Sequence, residues 1–416
     1  MYTGLRDNCM VVRNKIFLVV MLGALDTLTP ISIDMYLPAF PRIAAALHCG
    51  VEKLALSVSL YFFGFAIGQL LYGPLLDRFG VKKPLYAGLA LYVLASTGCL
   101  LSGSLPFFLA ARFFQALGGC VAAVAAIAMV RDFFSPGESA RVLSLMILIL
   151  GISPLLAPTI GSLLVSSLGW EYIFVTLAAA GLLLVLAVML FLPEAHPGDT
   201  TVSLRPAAIL KDFGNILAEP AFLLYVLAGS FAFAALFVYV AGSPGIFMQE
   251  FRLGTKMYGG VFALLSVGFI GGSQLNHYLT RRYSNRSIFK VVLVIQFMTS
   301  LVYLLCAAVN RFGVAGNMVC LSVILACAGL SYPNAVAVAL APFTRNTGSA
   351  SALLGFLQIG IGGAVSACVG LIRLREDLSV SLVIAGTTLV AFAVLMMHKN
   401  PVKKIDPGIK PLMPIS

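Results

Sequence analysis

The chain has 416 residues, 60% of them hydrophobic and only 10% charged, with a mean hydropathy of +1.00. A soluble domain carries about 25% charged residues, so composition excludes a soluble globule and indicates an integral membrane protein. The formal net charge of +11 would suit nucleic acid if the basic residues were clustered. They are spread over many short loops instead, which reads as loops held on one side of a bilayer.

The first apolar stretch, Ile16 to Pro41, is long enough to cross a membrane, since about 20 apolar residues span the hydrocarbon. The polar start, Met1 to Lys15, runs straight into it, so no cleavable signal is expected. The stretch contains two acids, Asp26 and Asp34. An ionisable residue inside a span costs from about 2.5 kcal/mol upward and marks function by default. Eight residues separate the acids, about 12 Å along a helix and about 80° around it. Asp26 therefore falls near mid-depth and Asp34 towards the far end, where Pro38 and Pro41 close the segment. The plain alternative for Asp34 is a helix end in the interfacial region.

Further apolar runs follow at 52–76, 83–103, 106–131, 140–165 and 169–192, then at 220–243, 255–280, 286–309, 313–341, 346–372 and 378–398. The pattern is six spans, a polar break and six more. It predicts an all-α membrane protein with an N-terminal bundle (1–192), a cytoplasmic linker (193–219), a C-terminal bundle (220–398) and a cytoplasmic tail (399–416). Most of the 27 Lys and Arg residues fall in segments on one side if the N-terminus is inside. Both termini and the linker are therefore expected to be cytoplasmic.

The second span contains Gly64-x-x-x-Gly68, which allows a neighbouring helix to approach closely. It ends in Gly73-Pro-Leu-Leu-Asp77-Arg78-Phe-Gly80-Val-Lys82-Lys83. A positive-inside turn explains the lysines but not the Asp-Arg pair between two glycines. Asp77 offers an anion to a facing helix N-terminus, and the best-placed partner is the start of span eleven, Asn346 to Ser349. The fourth span carries Arg112 about two turns from the outer surface, followed by Gln115, Gly118 and Gly119. Arg112 could snorkel outward. Antiparallel packing, however, brings it to the depth of Asp34, and two groups each costly alone are most economically read as partners. The fifth span combines Ser153, Pro154, Ala157, Pro158, Gly161 and Ser162, a pattern of close packing and bending.

These stretches resemble the major facilitator superfamily. The Gly73 to Lys83 turn is similar to that family's signature between spans two and three, with Val81 where a basic residue is usual and Leu76 where a small one is. Arg112-x-x-Gln115-x-x-Gly118 resembles its span-four motif, whose arginine belongs to the proton-coupling machinery. Span five resembles its antiporter motif, with Ser153, Ala157 and Ser162 in place of three glycines. The segments Asp34-Met-Tyr-Leu-Pro38, Val130-Arg131-Asp132 and Asn346 to Gln358 further resemble the bicyclomycin/chloramphenicol-resistance branch of drug:proton antiporters. The resemblance covers nearly the whole chain. It implies twelve spans in two pseudo-symmetric bundles, with Asp34, Arg112 and Asp26 in proton coupling and Gly73, Asp77, Arg78, Gly80, Ala157, Pro158 and Gly161 in conformational motifs.

Within the spans from 220 to 398 there is no Asp or Glu, so the titratable machinery lies in the first half. Arg281, Arg282 and Arg286 faintly echo the basic cluster of the first half, as internal duplication leaves. Polar candidates for substrate contact are Asp26, Gln115, Asn334 and Gln358, although such residues also bond between helices. The eight cysteines are scattered without a Cys-x-x-Cys pair and read as packing residues, with no metal site. No nucleotide-binding loop or hydrolase motif is present. The reading is a non-enzymatic exporter of amphipathic compounds in the bacterial inner membrane, driven by the proton gradient without a cofactor and expected to be monomeric. The alternatives are a dedicated exporter of one metabolite or siderophore and, more distantly, a receptor or enzyme on a many-span scaffold.

Overall fold

A computed structural model describes residues 15–134, 136–192, 198, 206–309, 313–343, 347–372 and 374–397. The first half contains α1 (Lys15–Asp34), a 3-10 turn (Leu37–Ala39), α2 (Phe40–Ala46), α3 (Val51–Phe79), α4 (Lys82–Leu100), α5 (Leu105–Phe133), α6 (Pro136–Ser167) and α7 (Glu171–Phe191). After α8 (Pro206–Leu217), the second half contains α9 (Pro220–Pro244), a π-helical extension (Gly245–Glu250), α10 (Thr255–Leu279), α11 (Asn285–Ala308), α12 (Val314–Leu340), α13 (Thr347–Leu371) and α14 (Glu376–Met397). Ten described helices are long and apolar enough to cross a membrane. With α4 and α6 they complete the twelve spans, six in each half. The expected tail, 399–416, lies outside the described residues, as do Asn346 and the side chain of Arg131.

Two helices lie outside the twelve-span pattern. The short α2 follows the turn at Pro38, and Pro41 stands within its first turn, where a missing backbone N–H costs nothing. The connector carries α8, whose Ile216 is buried against the second-half core while Leu210 is exposed. A polar average over residues 193–219 conceals this amphipathic pattern. Leucines on α7, among them Leu183 and Leu190, face outward, as expected of a surface solvated by lipid rather than water.

Local chemistry sets the ends of α3. Glu52 stands in its first turn, complementing the helix dipole. Gly80 terminates it with φ of 74°, a conformation in which a side chain would clash and only glycine is at ease.

The halves meet at the end of the molecule that contains Asp34. A single apolar cluster joins Tyr36, Tyr61 and Phe62 of the first half to Phe237, Tyr239 and Tyr258 of the second. Between α3 and α13, Ser59 Oγ and Ser366 Oγ are 2.9 Å apart. Between α3 and α9, the rings of Phe62 and Phe237 meet edge to face with centroids 4.3 Å apart. On the other flank, Gly259 of α10 packs on the Pro158 carbonyl of α6, leaving 3.4 Å for a Cβ. Towards the opposite end the packing lapses: a Cβ at Gly73 or Gly348 would meet nothing within 4 Å.

Candidate proton and substrate site

Arg112 is fully buried on α5. Its guanidinium carbon lies 4.0 Å from the centre of the Tyr36 ring and 4.3 Å from that of Tyr61. Nη1 donates to Gln115 Oε1, and Gln115 Nε2 donates to Ser96 Oγ at 2.8 Å. Nε and Nη2 are buried without an acceptor. Desolvated cation–π contacts are worth about 2 kcal/mol or more, so the two rings supply much of what water would otherwise give this cation.

The tyrosines are held in turn. Tyr36 Oη and Ser57 Oγ are 2.8 Å apart. Nearby, Ser32 Oγ lies 2.6 Å from Tyr92 Oη and donates to the Leu28 carbonyl. This network ties α1, α3, α4 and α5 together.

Asp34 is also buried, at 6% exposed, but among the described residues no ion pair joins it to Arg112. Local geometry explains why. Asp34 is the last residue of α1, and Tyr36 follows two residues on in near-helical backbone. Two helical residues are about 200° around the axis. With the Tyr36 ring turned onto Arg112, Asp34 is turned away from it. Sequence reasoning matched the two residues by depth and lacked this rotation.

Asp26 is half-buried, and Tyr332 of α12 is 39% exposed. Tyr332 also lines a recess with Tyr225, Val226, Gly229, Ser230 and Gln358, and its ring centroid is 4.8 Å from that of Phe233. The other polar candidates divide. Gln358 lines the recess. Gln115 is occupied between Arg112 and Ser96, while Asn334 Nδ2 donates to Asn276 Oδ1 at 2.6 Å and to the Leu330 carbonyl at 2.7 Å.

The motif residues sit at helix contacts. Gly161 packs on the Met35 carbonyl, leaving no room for a side chain. Pro158 faces Gly259 as described, and Ala157 just before it is buried. This part of α6 therefore touches α1 immediately after Asp34 and also the second half. Asp77 and Arg78 lie in the last turns of α3, and both are engaged in interactions. Gly198, from the connector, packs directly on the Arg78 carbonyl and the Gly80 amide.

The residues that sequence reasoning missed are mostly tyrosines: Tyr36, Tyr61, Tyr92, Tyr239 and Tyr258. A tyrosine in an apolar run carries little signal, because its ring suits lipid and core alike. Tyr36, two residues from a buried acid, was the most accessible of them.

Comparison with known proteins identifies the family. A family model described as Major Facilitator Superfamily matches residues 22–367. The chain is 30% identical to the uncharacterized MFS-type transporter YdgK of Bacillus subtilis (strain 168), over 86% of this chain and 90% of that one. It is 27% identical to the bicyclomycin resistance protein homolog of Haemophilus influenzae, over 87% and 91%. It is 32% identical to the multidrug resistance protein MdtL of Escherichia coli, over 81% and 84%. A crystal structure of a D-xylose–proton symporter shares the fold, with a TM-score of 0.71 at 14% identity over 93% of this chain and 98% of that one.

Proposed function

We propose, since the chain belongs to the Major Facilitator Superfamily, that it exports amphipathic, drug-like compounds across the bacterial inner membrane in exchange for protons. Both termini lie in the cytoplasm in this reading. The relatives named for bicyclomycin and multidrug resistance support the substrate class. The observation that carries the mechanism is the pair of acids on α1, Asp34 buried and Asp26 half-buried, neither paired with a cation among the described residues.

Asp34 is the proton carrier in this account. A buried carboxylate without a cation beside it is costly in its charged form. Rocking of the halves changes what Asp34 meets. Opened, it gains water; with a rotation of the α1 end it also gains the two unoccupied guanidinium nitrogens of Arg112. Proton affinity then differs between the two conformations, and a compound that binds the deprotonated form competes with the proton. Asp26 contacts the substrate and favours cations. The Gly73–Gly80 turn and the Ala157–Gly161 stretch govern the passage between conformations.

Everted membrane vesicles test this reading. Tetraphenylphosphonium or chloramphenicol should accumulate inside them when the lumen is acidified and leak out when a protonophore is added. Accumulation that ignores the pH gradient would contradict proton antiport.

A further inference from the structure

Most buried polar side chains of the second half spend their hydrogen bonds on neighbouring helices or on their own backbone. Gln296 Nε2 donates to the Ala232 carbonyl at 2.9 Å. Ser300 Oγ lies 2.7 Å from Thr388 Oγ1, and Tyr303 Oη donates to Asn317 Oδ1 at 2.8 Å. Ser331 Oγ donates to the Ala328 carbonyl at 3.1 Å, and the Asn334 amide is engaged as described. Ser230 and Gln358 depart from this pattern. They are 3% and 6% exposed, and neither makes a hydrogen bond among the described residues. An unpaired buried polar group is costly to a fold, and here two of them border the same recess.

Three helices build that recess: α9 with Ser230, α12 with Tyr332 and α13 with Gln358. Gly229 brings α9 against α12, since a Cβ there would come within 2.7 Å of Ala335 Cβ. The Tyr332 ring is backed by Phe233 at 4.8 Å, and the Phe233 ring is itself 5.5 Å from Phe237 and 6.1 Å from Phe269. This wall is therefore aromatic and held in place. Val226 and Leu354 add apolar surface. Among the described residues no charged side chain lines the recess, and residues 251–375 contain no Asp or Glu. The recess thus offers an amide and a hydroxyl beside an aromatic ring, without charge. Ser230 stands ten residues into α9 and Gln358 eleven into α13. Asp26 stands eleven residues into α1, so the acid and the recess lie at a matching count along their helices.

We propose that this recess is a subsite for the uncharged part of a substrate: a neutral amide carried on an aromatic compound, with the amide paired to Gln358 and Ser230 and the ring against Tyr332. A glutamine side chain donates and accepts together, so one ligand amide satisfies both of its groups. A site built on hydrogen bonds rejects compounds that lack the matching groups, because its own groups then stay unpaired. The recess therefore gives a selectivity among drug-like compounds that an apolar cavity lacks. This inference deepens the export reading and rests on it, and the test separates the two.

The test is equilibrium binding to the purified full-length protein in detergent, with two probes. Chloramphenicol has an aromatic ring and a secondary amide, whereas tetraphenylphosphonium has four rings and no hydrogen-bonding group. Gln358→Leu should weaken chloramphenicol about threefold to tenfold more than tetraphenylphosphonium, the range of a net hydrogen bond. Ser230→Ala should shift the ratio in the same direction. Methylating the amide nitrogen of chloramphenicol should weaken its binding to wild type by a similar factor and add little further loss in Gln358→Leu. Equal losses of both probes, or a methylation cost that is the same in both proteins, would overturn the recess as a subsite and leave export intact. Wild type that binds neither probe would contradict the export of drug-like compounds itself.

Discussion

Arg112 and Tyr36 form the central contact of the first half, with the guanidinium carbon 4.0 Å above the ring centre. Tyr36 lies two residues beyond Asp34, so the contact that shelters the cation also fixes the direction in which the acid points. Tyr36→Phe retains the ring and loses only the bond to Ser57, a loss of about 1 kcal/mol. Tyr36→Leu removes the cation–π contact as well, worth about 2 kcal/mol when desolvated. Thermal unfolding in detergent should therefore show a small decrease for Phe and a clearly larger one for Leu. Equal decreases would mean that the ring face is not what holds Arg112.

Gly161 meets the Met35 carbonyl with no room for a Cβ. Gly161→Ala should force α6 away from the end of α1, where Asp34 sits. Transport should fall severalfold while the protein still inserts, because overpacking of this kind costs about 1–3 kcal/mol. Initial rates in vesicles, normalised to the amount of protein, check this. An unchanged rate would show that the α1 and α6 contact is not part of the transport cycle.

Ser59 and Ser366 belong to opposite halves, with their hydroxyls 2.9 Å apart. Introduced into a background without the eight native cysteines, Ser59→Cys with Ser366→Cys should form a disulfide on oxidation. The disulfide should abolish transport, and reduction should restore it, if this end opens in each cycle. Full transport by the crosslinked protein would exclude rocking at this junction.

Asp26 is half-buried within α1. Asp26→Ala should weaken export of tetraphenylphosphonium more than that of uncharged chloramphenicol, by about tenfold or more, because an uncompensated charge acts strongly in a low-dielectric cavity. Equal losses for both compounds would remove Asp26 from cation recognition.

At the opposite end, Asp77→Asn should slow transport and leave substrate affinity nearly intact, since a carboxylate near a helix end biases conformation by about 0.3–1 kcal/mol without touching the ligand. Gly198→Val should act similarly by lifting the connector from the Arg78–Gly80 backbone on which it packs. Binding and rate measured side by side would expose a direct role in substrate contact.

Much of the fold was legible because the bilayer imposes it. Runs of about 20 apolar residues, the break at 193–219 and the acids within the first span all follow from the cost of burying polar groups in lipid. The positions of Asp34, Arg112 and Gly161 at helix contacts were equally accessible, since charges and small residues stand out in an apolar background. Azimuth was not. Depth can be counted along a sequence, but the direction in which Asp34 faces depends on how α1 ends at the turn Leu37–Ala39. For the same reason Gln115 and Asn334, polar and apparently available, are occupied in helix packing.

The central claim is that Asp34 exchanges its proton for substrate, and proton release from purified protein tests it most directly. Adding tetraphenylphosphonium or chloramphenicol to wild-type protein in weakly buffered detergent should release protons, in an amount that varies with pH. Asp34→Asn, neutral at every pH, should still bind chloramphenicol, with an affinity independent of pH, and should release none. Undiminished release from Asp34→Asn would contradict the account and move the proton site elsewhere, with Asp26 the next residue to test.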